Sequence, residues 1–168
     1  MSKNTNILIL NTDGTFNKIY DEFNGNLIVP KNNYAVNKIL LNSKINKCKV
    51  KGLIYKDSLE INVEDRKLLK RYIISSKYKK IIIIHGTDTM DETAKYLDKN
   101  IKNKEIILTG AMVPFSVNQI EATSNLMLAY GYLSHKLKAG IYISMHGNIR
   151  NYKKIKKNRT LGVFECQK

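Results

Sequence analysis

The stretch Ile81-Ile82-Ile83-Ile84-His85-Gly86-Thr87-Asp88-Thr89-Met90 decides the fold. Four β-branched residues in a row suit a strand inside a sheet covered on both faces, because stiff branched side chains pack well on a pleated surface. A half-solvated strand would alternate apolar and polar residues, and this one does not. At His85 the composition switches to glycine, hydroxyl and carboxylate, which marks a strand end opening into a loop. Asp91 to Asn100 beyond it reads as a helix.

The same unit repeats in both directions. Upstream, Asn6-Ile7-Leu8-Ile9-Leu10 is a second buried strand, and residues Lys31 to Ile45 place Val36, Ile39, Leu40 and Leu41 at helical spacing. Val50 to Tyr55 reads as a strand, and Val63 to Ile74 as a helix with Leu68, Leu69, Tyr72 and Ile73 on its apolar face. Downstream come a strand Glu105-Ile106-Ile107-Leu108, a helix from near Ile120 to Lys136, and a last core strand Gly140 to Met145. This alternation implies right-handed crossovers and an α/β fold: a doubly wound, mostly parallel open sheet with helices on both faces, of the flavodoxin or Rossmann kind. With no internal repeat, no low-complexity linker and only two prolines, residues 1–168 read as a single domain.

Composition narrows the function classes. At 168 residues, 43% hydrophobic and 26% charged, the chain can bury its own core without metals or disulfides. Cys48 and Cys166 are too far apart in sequence for a disulfide framework or zinc site, and His85, His135 and His146 are widely spaced, so neither metal nor cofactor is expected. No apolar run approaches the roughly 20 residues of a membrane span, and the start Met1 to Asn6 has no secretory pattern. A cytoplasmic location without a membrane partner is the default expectation.

The 29 basic residues against 14 acidic ones give +15, which raises nucleic-acid binding through phosphate neutralisation. Most of that charge is lysine scattered among asparagine and isoleucine, and no RNA-binding motif with interleaved aromatics is present. Nucleic acid is therefore disfavoured as a partner. The cluster Lys153 to Arg159 alone reads as a solvated loop.

In doubly wound sheets ligands bind outside the carboxyl ends of the strands. Three strand-end loops are unusual there: Asn11-Thr12-Asp13-Gly14-Thr15-Phe16, His85 to Ala94, and Thr109-Gly110-Ala111-Met112-Val113-Pro114. Each pairs glycine with threonine, offering hydroxyls and backbone N–H groups to a small ligand. Singly, each is explained as a tight turn with a helix cap, since threonine and aspartate accept bonds from the open N–H groups of a helix start. Together they are not.

The run His85-Gly86-Thr87-Asp88-Thr89-Met90, continued by Glu92-Thr93-Ala94, resembles the signature of the L-asparaginase family of type I/II, whose nucleophile is a threonine. Thr109-Gly110-Ala111-Met112 with Pro114 is similar to that family's next strand-end motif, and the Thr15 loop resembles its nucleophile loop. Asp57-Ser58 lies where family members place a serine on the substrate carboxylate. Order and spacing agree over residues 5 to 165, the family's N-terminal, site-bearing domain.

The resemblance implies an amidohydrolase that converts L-asparagine to L-aspartate and ammonia through a threonine acyl-enzyme. Thr15 would be the nucleophile, with Thr87, Asp88 and a lysine after the last core strand as the supporting cluster. Alignment places that lysine at Lys154, with Lys153 its rival. Tyr20 would be the tyrosine of a mobile loop that closes over the site. Substrate-binding positions would be Ser58, Asp57 and Gly86, with the Ala111 carbonyl on the scissile amide and Asp88 on the α-ammonium. Family members form homo-oligomers. L-Glutamine differs from asparagine by one methylene, a discrimination of only about 1–3 kcal/mol, so it stays open as a substrate.

Several positions depart from the family pattern. Asp13 stands where the first of two glycines precedes the nucleophile, Leu59 and Val113 replace polar residues, and Glu121-Ala122 replaces Asp-Gly. The family's second, carboxyl-terminal domain is expected to be absent. These departures support a second reading, a catalytically weak or inactive amino-acid-binding or interaction module derived from an asparaginase. A third is an amidotransferase subunit with an asparaginase-like domain.

Overall fold

The computed structural model of the chain describes residues 7–12, 14–135 and 138–167. Strand β1 (Ile7–Asn11) leads into the first loop, a small hairpin of β2 (Ile19–Asp21) and β3 (Asn26–Ile28), and helix α1 (Tyr34–Asn42). There follow β4 (Cys48–Gly52), α2 (Val63–Ser75), β5 (Lys80–Ile84), α3 (Met90–Asn100), β6 (Glu105–Thr109), α4 (Gln119–Ser134) and β7 (Gly140–Met145). After β7 the chain turns back as β8 (Asn148–Asn151), then forms a second hairpin, β9 (Ile155–Asn158) with β10 (Val163–Cys166).

The main sheet has the order β4-β1-β5-β6-β7-β8, with β8 alone antiparallel among the described residues. Counting only the parallel strands, the order is second, first, third, fourth, fifth. That is the flavodoxin-like arrangement, whose switch point lies between β1 and β5. The expected doubly wound, mostly parallel sheet is therefore observed.

Alternation along each strand divides the core into two layers. Leu8, Leu10, Ile81, Ile83, Ile106 and Leu108 pack with Leu69 and Ile73 of α2 and Ala94 and Leu97 of α3. Ile7, Ile9, Ile82, Ile84 and Ile107 face the other way, onto Val36 and Ile39 of α1 and Leu126 and Ala129 of α4. All four isoleucines of β5 are fully buried, as a central strand requires.

One sequence expectation shifts. The strand placed at Val50 to Tyr55 is Cys48–Gly52, because it is an edge strand: Lys49 and Lys51 face solvent and only alternate residues turn inward. Leu53 and Ile54 have already left it, and their N–H groups bond to Asn11 O at 2.9 and 3.3 Å. Such lysines on an open sheet edge discourage pairing with another chain. The two hairpins and β8 were not expected, since their segments are polar and short. The end of the last helix at Lys136, like the start of the first strand at Asn6, lies outside the described residues.

Candidate active site

The loops after β1 and β5 meet at the switch point with glycine against glycine. Gly14 has φ 112° and ψ −155°, a conformation essentially restricted to glycine, and a Cβ there would lie 2.4 Å from the Gly86 Cα. A Cβ on Gly86 would in turn meet Ser58 Cβ at 2.5 Å and Oγ at 2.7 Å, and one on Gly110 would meet His85 O at 2.3 Å. Four strand-end loops are thus stacked with no room for a side chain between them. The glycines that pair with threonine at these strand ends therefore serve backbone contact between loops, beyond any turn each makes.

Thr15 opens a single 3₁₀ turn, Thr15–Asn17, and is partly buried. The loop is fixed on both sides of it. Thr12 N and Oγ1 donate to Ile84 O at 3.0 and 2.8 Å. Phe16 is fully buried in the α1/α4 layer, and Asn17 Oδ1 accepts from Ala35 N at 3.0 Å, satisfying an open amide of the α1 start. Asp13 lies outside the described residues.

Ser58 is buried, and its Oγ accepts from Asp88 N at 3.3 Å while its carbonyl accepts from Thr89 Oγ1 at 2.7 Å. Asp57 caps the short turn after it and pairs with Lys18 Nζ at 2.5 Å. Burial alone would raise the Asp57 carboxyl, but the Lys18 bond and ammonium and the Leu59 amide outweigh it and hold the group below its usual range.

The lysine on the Thr87-Asp88 pair is Lys157. Its Nζ donates to Thr87 Oγ1 at 2.8 Å and to Asp88 Oδ1 at 2.9 Å, and its side chain is only 14% exposed. The expectations of Lys154 and Lys153 are corrected here. Lys153 pairs with Asp98 at 3.3 Å, and Lys154 sits exposed in the turn before β9, where its carbonyl accepts from Gln167 N. Linear alignment failed because β8 and a 3₁₀ turn intervene before β9. Strand periodicity held the missed signal: buried Ile155 and Lys157 are two apart on β9 and share a face.

Arg159, in the turn after β9, also reaches Asp88: Nη1 to Oδ1 and Nη2 to the backbone oxygen, both at 2.9 Å. Sequence reading assigned it to solvated charge.

Beneath the Thr87 loop runs a directed chain of hydrogen bonds. Gly86 O can only accept, so His85 Nδ1, 2.7 Å away, carries the proton. Nε2 then accepts from Thr93 Oγ1 at 2.8 Å, which accepts from Arg66 Nε at 3.0 Å, and Arg66 pairs with Glu92. Burial drives the imidazole pKa down from 6.5 to about 4, so the ring is neutral near pH 7. His85 is spoken for structurally.

The Ala111 loop is held from α4. Ala111 is buried, and Glu121 accepts from Met112 N at 2.8 Å and Val113 N at 3.0 Å, while Asn125 Nδ2 donates to Gly110 O at 3.0 Å. Glu121 Oε1 also accepts from His146 Nε2 at 3.0 Å, and His146 Nδ1 accepts from Phe164 N of β10 at 3.1 Å. One carboxylate therefore links the Ala111 loop to the hairpin that carries Lys157. Glu121 and Asn125 are one helical turn apart on α4, a spacing visible in the sequence but without an identifiable partner there. Tyr20 stands apart from these groups, on β2, 64% exposed.

Comparison with known proteins identifies the family. The asparaginase N-terminal family model matches residues 6–165. An L-asparaginase of Thermococcus kodakarensis is 30% identical over 72% of this chain and 38% of its own length. L-asparaginase 2 of Escherichia coli is 29% identical over 94% of this chain and 48% of its own. The solved thermostable L-asparaginase from Thermococcus kodakarensis superposes with a TM-score of 0.80 at 27% identity, covering 96% of this chain and 51% of that one. A probable cytoplasmic L-asparaginase from Campylobacter jejuni shares the fold, with a TM-score of 0.77 at 22% identity over 95% of this chain and 52% of that one. The chain spans about half the length of these relatives or less. With its motifs stacked at the switch point and the family model matched along nearly its whole length, the chain belongs to the asparaginase family.

Proposed function

We propose that the site hydrolyses the side-chain amide of L-asparagine to L-aspartate and ammonia through an acyl-enzyme on Thr15. The observation that carries this reading is Lys157 Nζ bonded to both Thr87 Oγ1 and Asp88 Oδ1, on a loop stacked against the Thr15 loop. Thr15 Oγ1 attacks the amide carbon, a C–O bond forms and the C–N bond breaks. The hydroxyl proton leaves on ammonia. Water then adds to the ester, releasing the side-chain carboxylate and returning a proton to Thr15.

A threonine hydroxyl needs a partner for its proton, and Lys157 supplies a relay through Thr87. Its burial between a hydroxyl and a carboxylate is what separates it from the solvated lysines of the same segment. Ser58 and the amides around it would hold the α-carboxylate, Gly86 would let the substrate approach the backbone, and the Ala111 carbonyl would accept from the amide nitrogen. Asp88 would take the α-ammonium. Tyr20, on the exposed hairpin, would act only after that hairpin moves toward Thr15. Assembly as a homo-oligomer belongs to the same reading.

The test is ammonia release from L-asparagine at neutral pH by the wild type and by Thr15→Ala and Thr87→Ala variants of confirmed fold. Release by the wild type that is lost in both variants supports the mechanism. Release that persists in Thr15→Ala removes the nucleophile assignment. No release from a wild type that still binds L-aspartate makes the chain a binding module.

A further inference from the structure

Asp88 Oδ1 accepts from two cations held very differently. Lys157 comes from the body of β9 with a side chain 14% exposed, whereas Arg159 comes from the following turn with a side chain 66% exposed. The turn itself is firmly built. Asn158 Oδ1 accepts from Thr160 N and Leu161 N, both at 3.1 Å, and Gly162 N, at φ 66°, closes it onto Asn158 O at 2.9 Å. The backbone therefore aims Arg159 at Asp88, while the guanidinium stays in water.

We propose that Arg159 is a specificity-determining residue: an internal, exchangeable cation on Asp88 that competes with the α-ammonium of an amino-acid ligand. The inference rests on the assignment of Asp88 to that ammonium. A carboxylate already shared by Lys157 and Arg159 offers an incoming cation less attraction than a free one, and a guanidinium left nearby repels it. A ligand with the same two carboxylates but no ammonium suffers neither effect. The wild-type site therefore discriminates weakly between L-aspartate and succinate, and the exposure of Arg159 makes its displacement a small effect rather than a block.

Calorimetric titration of L-aspartate and of succinate into the wild type, Arg159→Gln, Arg159→Lys and Asp88→Asn tests this. Arg159→Gln is expected to raise the preference for L-aspartate over succinate roughly two- to fivefold, and Arg159→Lys to stay near the wild type. An unchanged preference in Arg159→Gln, or weaker L-aspartate binding, overturns the proposal. Asp88→Asn separates it from the reading beneath it. If that variant keeps full L-aspartate affinity, or if the wild type binds no L-aspartate, the assignment of Asp88 falls and the role of Arg159 falls with it. If Asp88→Asn loses affinity while Arg159→Gln leaves the preference unmoved, only the role of Arg159 is lost.

Discussion

The floor of the site and its rim are built on different principles. The floor consists of the loops that leave β1, β4, β5 and β6 and touch with no room for a side chain between them, with Gly14 on Gly86, Gly86 on Ser58 and Gly110 on His85 O. The rim is delivered by an element outside the main sheet, the β9–β10 hairpin, which carries Lys157 and Arg159. Floor groups are fixed by packing that tolerates no added atom. Rim groups are fixed by side-chain bonds that can be remade.

Removing one group from each region should show this. The largest effect belongs to the half-buried rim lysine. Lys157→Ala is expected to lower kcat/KM for L-asparagine by about 10²–10⁴, the usual worth of a positioned proton relay, with Lys154→Ala near the wild type. Equal losses in the two variants would break the assignment. On the floor, Gly14→Ala adds an overpacking cost of about 1–3 kcal/mol to a backbone strain of similar size, so chemical denaturation should show a loss of roughly 4 kcal/mol. A loss below about 1 kcal/mol would mean the loops can move apart, against the floor as described.

The next effect is a pH dependence of stability. His85 is neutral in the fold with a pKa of about 4 against 6.5 when unfolded, so between those values the unfolded chain binds the extra proton. Stability should fall as pH drops through that window, by about 3 kcal/mol in all, and His85→Gln should flatten that part of the curve. Asp57 and Asp65, whose carboxyls sit below their usual range, act at lower pH: the stability they add is lost as pH falls through their folded values. Urea unfolding at pH 7 and pH 5 distinguishes the two sources. The smallest effect is at the outer edge. Lys153→Ala breaks an ion pair whose lysine side chain is 65% exposed, and should leave the urea midpoint indistinguishable from that of the wild type.

Legibility in the sequence follows the same division. The floor could be read, because Ile81 to Ile84 and the Gly-Thr turns that follow it obey constraints local to the chain: strand burial, glycine at close approach, hydroxyls at strand ends. Helix positions followed from apolar spacing, and α2 and α3 fell within two residues of their observed ends. The rim could not be read the same way. Whether Lys153, Lys154 or Lys157 reaches Thr87 depends on where β8 turns and where β9 begins, which the spacing from the last apolar strand does not encode; only once β9 is placed does its alternation put Lys157 on the face of buried Ile155. Glu121 and His146 were invisible for a related reason, since each finds its partner across 25 residues of chain.

The β9–β10 hairpin stands outside the main sheet. It is a two-stranded sheet of its own, joined to the body through Ile155 and Phe164, which are buried in the core beneath α2 and α3, and through bonds such as Phe164 N to His146 and Lys157 to Asp88. Two-stranded ribbons are marginal by themselves, and local opening requires far less free energy than global unfolding. On heating, the polar turn that carries Arg159 is expected to open before the six-stranded sheet, while Ile155 and Phe164, buried in the core, hold the two strands in place until the sheet itself unfolds.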